Sequence, residues 1–256
     1  NLLPSEVQHL STLQDKYLYG AFGVVAQTCA LGLSDGFLTQ RISEASRHIA
    51  RGTKLRLMPL GGSVTFGQGS TDGNGYRCKL RELLMADGFK VDMVGSRKVG
   101  ALGSAHEGWR GFRVDQIDQK ARKSVPVHMP NVFMVNAGSN DCLLDFKVDR
   151  IGDRLDRLMD NLWSAAPRAT IILSTLLVNA DERTERRILK ANDRFQILAQ
   201  QKISEHRRLV SADMHGSDGP RLDELVDGTH PNDEGYGKMA TIWHRAIREA
   251  VQKGFI

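Results

Sequence analysis

A serine, an asparagine and an Asp–His pair stand in this chain where their types and spacing could cleave an ester. Ser63 follows an apolar run and a glycine break, LRLMPLGGS at residues 55–63. Its hydroxyl is a weak nucleophile until a base takes its proton. His230 is the candidate base. Asp227 lies three residues earlier, in DGTHP, close enough for its carboxylate to hold the other ring nitrogen. Attack on an acyl carbonyl builds an oxyanion, which needs preorganised donors. The backbone amides of Ser63 and Gly111 and the side-chain amide of Asn140 are the candidate set. Taken alone, Ser63 reads equally well as the cap of a turn or helix; the distant segments decide its meaning.

Those segments must be brought to one edge by the elements that carry them. Leu55–Leu60 reads as a buried strand that breaks at Gly61–Gly62. After a glycine-rich loop, Tyr76–Ala86 has helical spacing at Leu80, Leu83 and Leu84. Phe89–Val94 reads as a strand and Gly95–Gly108 as a loop. A turn at Gly111 leads into a helix with Val114 and Ile117 on one side. Val132–Val135 is the next strand, ending at Gly138–Ser139–Asn140–Asp141. Ile151–Ala166 is an amphipathic helix stopped by Pro167. Thr170–Val178 is a continuous apolar run, as expected of a central parallel strand covered on both faces. Glu182–Leu209 reads as a long helix burying Ile188, Phe195, Ile197, Leu198 and Ile203. A short strand at Leu209–Ala212 and a last helix at Glu234–Val251 complete the pattern. The alternation predicts an α/β fold, a three-layer α/β/α sandwich around a mostly parallel five-stranded sheet. In such sheets ligands sit at the C-terminal ends of the strands, where all the candidate residues fall.

Read together, the blocks resemble the SGNH hydrolases, the GDSL-like esterase/lipase superfamily. Gly61–Gly62–Ser63 is similar to the family's Gly-Asp-Ser block, with Gly67 downstream. Gly111 in GFRVDQI is similar to the second-block glycine, with Gly108 a nearby competitor. Gly138–Ser139–Asn140–Asp141 matches Gly-x-Asn-Asp, and Asp227–Gly228–Thr229–His230 matches Asp-x-x-His. The blocks occur in family order across residues 55–231. The resemblance implies a flavodoxin-like fold and a serine ester hydrolase working through an acyl-enzyme. Catalysis would fall to Ser63, His230 and Asp227, and the oxyanion hole to Ser63, Gly111 and Asn140. MPLGGSVTFG, FKVDMVGS and HEGWRG look most like the carbohydrate acetylesterase branch, where acetyl-xylan esterases belong. That implies removal of acetyl groups from a small-molecule or polysaccharide ester. A lipase- or thioesterase-like relative acting on longer acyl chains, and a catalytically weak carbohydrate-binding relative, are the alternatives. Gly62 stands where the family has Asp. The loss leaves nucleophile and base intact and bears on the rigidity of the nucleophile loop. His106, Glu107, Trp109 and Arg110 are further candidates for lining a substrate cleft, and Asp141 for fixing its loop.

The remaining composition narrows the classes. Lys and Arg number 35 against 30 Asp and Glu, mixed along the chain, and no basic block is interleaved with aromatics. Nucleic acid is therefore not an expected partner. Gly61, Gly62, Gly67 and Gly69 match neither the dinucleotide nor the Walker glycine pattern, and no cofactor is expected. No His–carboxylate cluster has metal-ligand spacing, so no metal is expected either. Tyr17–Leu33 is the most apolar early stretch but carries Gln27 and Thr28, and it is read as buried rather than as a membrane anchor. Cys29, Cys78 and Cys142 are too few for a disulfide scaffold and leave room for one bridge and one free thiol. The expected organisation is an N-terminal extension, residues 1–50, packed on a hydrolase domain at 51–256. The expected setting is secreted after removal of a signal peptide, with a cytoplasmic setting and the oligomeric state left open.

Overall fold

The sheet is built outward from β1, Lys54–Gly61, whose residues from Leu57 onward are all buried. A computed structural model describes residues 52–100 and 103–256 of the chain. The expected extension, residues 1–50, lies outside the described residues, as does Cys29. On one side β1 pairs in parallel with β5, Val132–Asn136. Beyond it lie β6, Thr170–Ser174, and β7, Leu209–Ala212, also parallel. On the other side β1 has two partners in succession. β2, Lys90–Met93, runs beside Lys54–Leu57, and β4, Ala105–Gly108, runs beside Leu60–Gly61. β3, Arg97–Lys98, pairs antiparallel with β4 at the rim.

The sheet thus has seven strands, not the expected five. The extra ones lie in Gly95–Gly108, read from sequence as a loop. β4 has the sequence Ala-His-Glu-Gly, and its His106 and Glu107 are fully buried polar residues. A strand that buries polar groups shows no apolar alternation, so periodicity does not reveal it.

Alternating residues of each strand feed two cores. Leu55, Leu57, Val132, Met134, Ile172 and Val210 face one; Met58, Leu60, Phe133, Val135, Ile171 and Leu173 face the other. The first is covered by α2, Arg77–Ala86, and α7, Asp233–Gln252. The second is covered by α3, Val114–His128, α5, Ile151–Ala165, and α6, Glu182–Ser204. The three-layer α/β/α sandwich is as expected. Two helices differ in detail. α3 runs on through Pro126 to His128, a proline inside the helix rather than at its end. α6 buries Ile188, Ala191, Phe195, Leu198 and Lys202, while Ile197 is 66% and Ile203 44% exposed. The 3.6-residue period admits one stripe, and the ammonium of Lys202 holds its place there through Asp156 and Asp160. Among the described residues, Cys78 and Cys142 are free thiols, and no helix is long and apolar enough to cross a membrane.

Candidate active site

The strand order places β1 between partners that the chain visits in opposite directions, first β2 and β4, then β5. The C-terminal end of β1 is therefore a switch point of the sheet, where the crevice for a ligand opens. There the chain turns through Gly61 and Gly62 into a one-turn helix, α1, Ser63–Phe66. A Cβ on Gly61 would stand 2.1 Å from the Asn136 carbonyl oxygen, so only glycine lets β1 and β5 close together beneath the turn.

Ser63 is buried to 8% exposure, and its Oγ lies 2.7 Å from His230 Nε2. His230 Nδ1 lies 2.7 Å from Asp227 Oδ2. The other oxygen of Asp227 accepts from the backbone N–H of His230 at 2.9 Å and of Thr229 at 3.1 Å. Partial burial pushes the Asp227 carboxyl up. The hydrogen bonds from the His230 ring and from both backbone amides outweigh it and hold the group below the usual carboxylate range. An ionised Asp227 fixes the ring tautomer with the proton on Nδ1, leaving Nε2 to accept from Ser63. Gln68 Nε2 stands 3.4 Å from the same Nδ1, at the edge of hydrogen-bond range. Because Nδ1 already donates to Asp227, we read that approach as packing.

The donor side of the site comes from two loops. Asn140 lies in α4, Ser139–Leu143, directly after β5, and its Nδ2 donates to the Phe112 carbonyl at 3.0 Å. The second hydrogen of that amide remains available. Gly111 has φ +77°, a left-handed conformation that glycine adopts without strain, and follows β4 through Trp109 and Arg110. The backbone amides of Ser63 and Gly111 have no acceptor among the described residues. A Cβ on Gly62 would sit 3.2 Å from Asn140 Nδ2, so the glycine at the family's Asp position keeps that amide uncrowded.

Several buried residues that hold this arrangement escape sequence reasoning. Arg77 is fully buried, and among the described residues it makes no ion pair with a carboxylate. Its guanidinium donates to the carbonyls of Thr65 (2.7 Å) and Phe66 (3.0 Å) at the end of α1, and to those of Gly73, Val99 and Ser104 and the Ser104 hydroxyl. It ties the nucleophile turn to the glycine-rich loop and to the approach to β4. Tyr236 of α7 donates from its hydroxyl to the Gln68 carbonyl at 2.6 Å. Asp141, also fully buried, accepts from Val114 N at 3.0 Å and Arg154 Nη2 at 2.7 Å, fixing α4 to the start of α3. That fits the loop-fixing role expected of it.

His106 and Glu107, expected as cleft-lining candidates, do not line it. Glu107 accepts from Trp109 Nε1 at 2.9 Å, from Ser96 N and from Ser124 Oγ, all beneath the loop that carries Gly111. His106 packs edge-on to Phe66. Of the same group, Arg110 is exposed, with its Nε 2.7 Å from Gln68 Oε1, and Trp109 is partly exposed, stacked on Phe112. Among the described residues no group of three metal-ligating side chains is assembled.

This geometry can be set beside known proteins. Residues 60–238, more than half the chain, match the GDSL-like Lipase/Acylhydrolase family. A curated relative, the multidomain esterase of Ruminococcus flavefaciens, is 27% identical over 248 residues, covering 85% of this chain. The chain spans 31% of that relative's length. Among solved structures, the Clostridium thermocellum family 3 carbohydrate esterase is 25% identical with a TM-score of 0.69, covering 78% of this chain and 99% of that one. The family 3 carbohydrate esterase from Talaromyces cellulolyticus, 22% identical with a TM-score of 0.67 over 78% of this chain and 99% of its own, shows the same fold. Strand-mouth serine, Asp–His loop, Gly-x-Asn-Asp turn and family match converge: the chain belongs to the GDSL-like lipase/acylhydrolase family.

Proposed function

We propose that this serine-dependent ester hydrolase removes small acyl groups, acetyl foremost, from carbohydrate, with the hydrolase domain at residues 51–256. The unbroken line from Asp227 through His230 to Ser63, 2.7 Å at each step, carries the reading. His230 Nε2 takes the Ser63 proton as Oγ attacks the ester carbonyl. Ionised Asp227 stabilises the imidazolium that forms. The Ser63 and Gly111 amides and Asn140 Nδ2 donate to the developing oxyanion. Collapse of the tetrahedral intermediate passes the proton from His230 to the departing sugar oxygen and leaves acetyl on Ser63. Water then repeats the sequence, with His230 as its base, and releases acetate.

The likeness to carbohydrate esterases supports a sugar as the alcohol part. The experiment is a series of p-nitrophenyl esters of increasing acyl length, followed by acetate release from acetylated xylan. The expected result is highest kcat/KM on acetate and release from the polymer. Preference for long-chain esters over acetate would overturn the acetyl reading in favour of a lipase- or thioesterase-like activity. Absence of covalent labelling of Ser63 by an organophosphonate would overturn the enzyme reading itself.

A further inference from the structure

The sheet edge that carries the ester site also carries a charged groove that the chemistry above does not use. It lies between the segment after α4 and the first turns of α6 and encloses about 550 Å³. Lys147, Arg183, Arg186, Arg187 and Lys190 line it. Two of the lining residues, Asp145 and Asp149, are carboxylates, and Asp181 and Glu182 at the start of α6 act on Arg183, Arg187 and Arg186 from the side. Asp145 pairs with Arg187 at 3.0 Å, and Asp149 lies 3.8 Å from Arg194. Arg186 has only Glu182, 3.8 Å away and 92% exposed. Among the described residues Arg183 and Lys190 have no ion pair, and the Lys147 ammonium has only the Phe146 ring, 5.5 Å from its centre. Along the lining itself cations outnumber carboxylates five to two, and such a surface attracts an anion.

Direct contacts join the groove to the ester site. Arg187 Nη1 donates to the Cys142 carbonyl at 3.2 Å, in the helix that carries Asn140. Phe146, beside Lys147, lies 4.1 Å from the Arg113 guanidinium, one residue past the Phe112 carbonyl that holds Asn140. Before α6, Asn179 Nδ2 donates to Thr229 Oγ1 in the Asp227–His230 loop at 2.9 Å. The groove and the ester site therefore share α4 and the loops around it at one edge of the sheet.

We propose that this groove binds carboxylate groups of the polymer being deacylated, so that the substrate is an acidic polysaccharide bearing uronic acid units. The inference rests on the carbohydrate-ester reading above. Guanidinium forks match planar carboxylates in two-point hydrogen bonds. The sole apolar lining residue, Val148, is buried, so the lining offers no aromatic platform for nucleic-acid bases.

The test compares acetylated glucuronoxylan with the same polymer after its uronic acids are reduced to neutral sugars. In the parent, kcat/KM on the acidic polymer exceeds that on the reduced one about tenfold at low salt, and about 0.5 M salt erases the difference. The double variant Arg183→Glu/Lys190→Glu, checked for an unchanged melting temperature, loses the preference through KM. Equal kcat/KM of the parent on the two polymers would overturn the proposal, as would an equal loss on both in the variant. Separately, de-esterified glucuronoxylan in a native gel slows the parent and not the double variant. Failure of this binding overturns the groove reading whether or not any ester is cleaved. Cleavage of p-nitrophenyl acetate without action on either polymer overturns the carbohydrate reading instead. Retention on phosphatidylserine vesicles without retention by the polymer would give the groove to a membrane surface.

Discussion

His230 and His244 make nearly the same first contact. Each meets an aspartate oxygen at 2.7 Å, His230 through Nδ1 to Asp227 and His244 through Nε2 to Asp87. Their second nitrogens differ. His230 turns Nε2 to the Ser63 hydroxyl at the mouth of β1. His244 sits midway along α7 and joins that helix to the end of α2, with no hydroxyl on its other nitrogen among the described residues. A histidine–carboxylate pair is a common structural tie; a hydroxyl on the second nitrogen makes it machinery. His106 is a third kind. Its Nδ1 accepts from Gly108 N at 2.9 Å, and burial, with Arg77 and Arg97 nearby, pushes the imidazole down to about 3. It is held neutral and serves packing.

The contrast between these histidines can be broken in four ways. Ser63→Ala removes the nucleophile and is expected to cut kcat on p-nitrophenyl acetate by about 10⁶-fold with an unchanged circular dichroism spectrum. Hydrolysis at the parent rate would show that the strand-mouth hydroxyl is idle. Asp227→Asn keeps the shape but releases the ring tautomer, and kcat falls roughly 10³- to 10⁴-fold in the same assay. A loss of only a few-fold would place His230 beside His244 as a structural tie.

His106 sharpens the comparison through pH. Its folded-state value is depressed, so between the ordinary 6.5 and about 3 the unfolded chain binds a proton that the folded chain does not. The stability this group contributes is present above about pH 6.5 and is lost as pH falls towards 3. Urea midpoints measured from about pH 7 to about pH 4 should decline less steeply in His106→Gln than in the parent. Parallel declines would remove His106 as a source. The smallest effect is expected of His244→Gln, with turnover unchanged and stability lower by about 1–2 kcal/mol in urea denaturation. A fall in kcat would mean that the α2–α7 tie reaches the chemistry.

The parts of the site that were legible in sequence share one property: each puts a reactive side chain next to a glycine or proline break. Ser63 after Gly61–Gly62 and Asn140 after Gly138 stand out against the apolar strands that precede them, and Asp227 and His230 are marked by Gly228 and Pro231 in an otherwise polar segment. The layered fold was legible because β1, β5 and β6 are nearly continuous apolar runs. β4 was not, because its buried side chains include an imidazole and a carboxylate, the carboxylate met by Ser96 and Ser124 from outside the strand. Arg77 was hidden for the same reason. A lone arginine in YRCKLRELL looks like the polar face of α2, and only the assembled structure supplies the six acceptors that let it be buried. Ile197 and Ile203 erred the opposite way, since apolar type without the 3.6-residue stripe does not bury a residue.

The divided flank of β1 has a consequence for how the molecule fails. β1 and β5 are matched over five residue pairs, whereas β4 touches β1 at two, Leu60 with Glu107 and Gly61 with Gly108. The Gly111 amide hangs from that short seam, while Ser63, Asp227 and His230 depend on β1, α1 and the loop before α7. The short seam is nevertheless tied to the nucleophile turn: Arg77 bonds both the end of α1 and Ser104, and His106 of β4 packs on Phe66 of α1. With Gly111 in its proposed role, loosening of this edge reaches Ser63 as well as the Gly111 amide, so loss of turnover and loss of labelling by a serine probe go together.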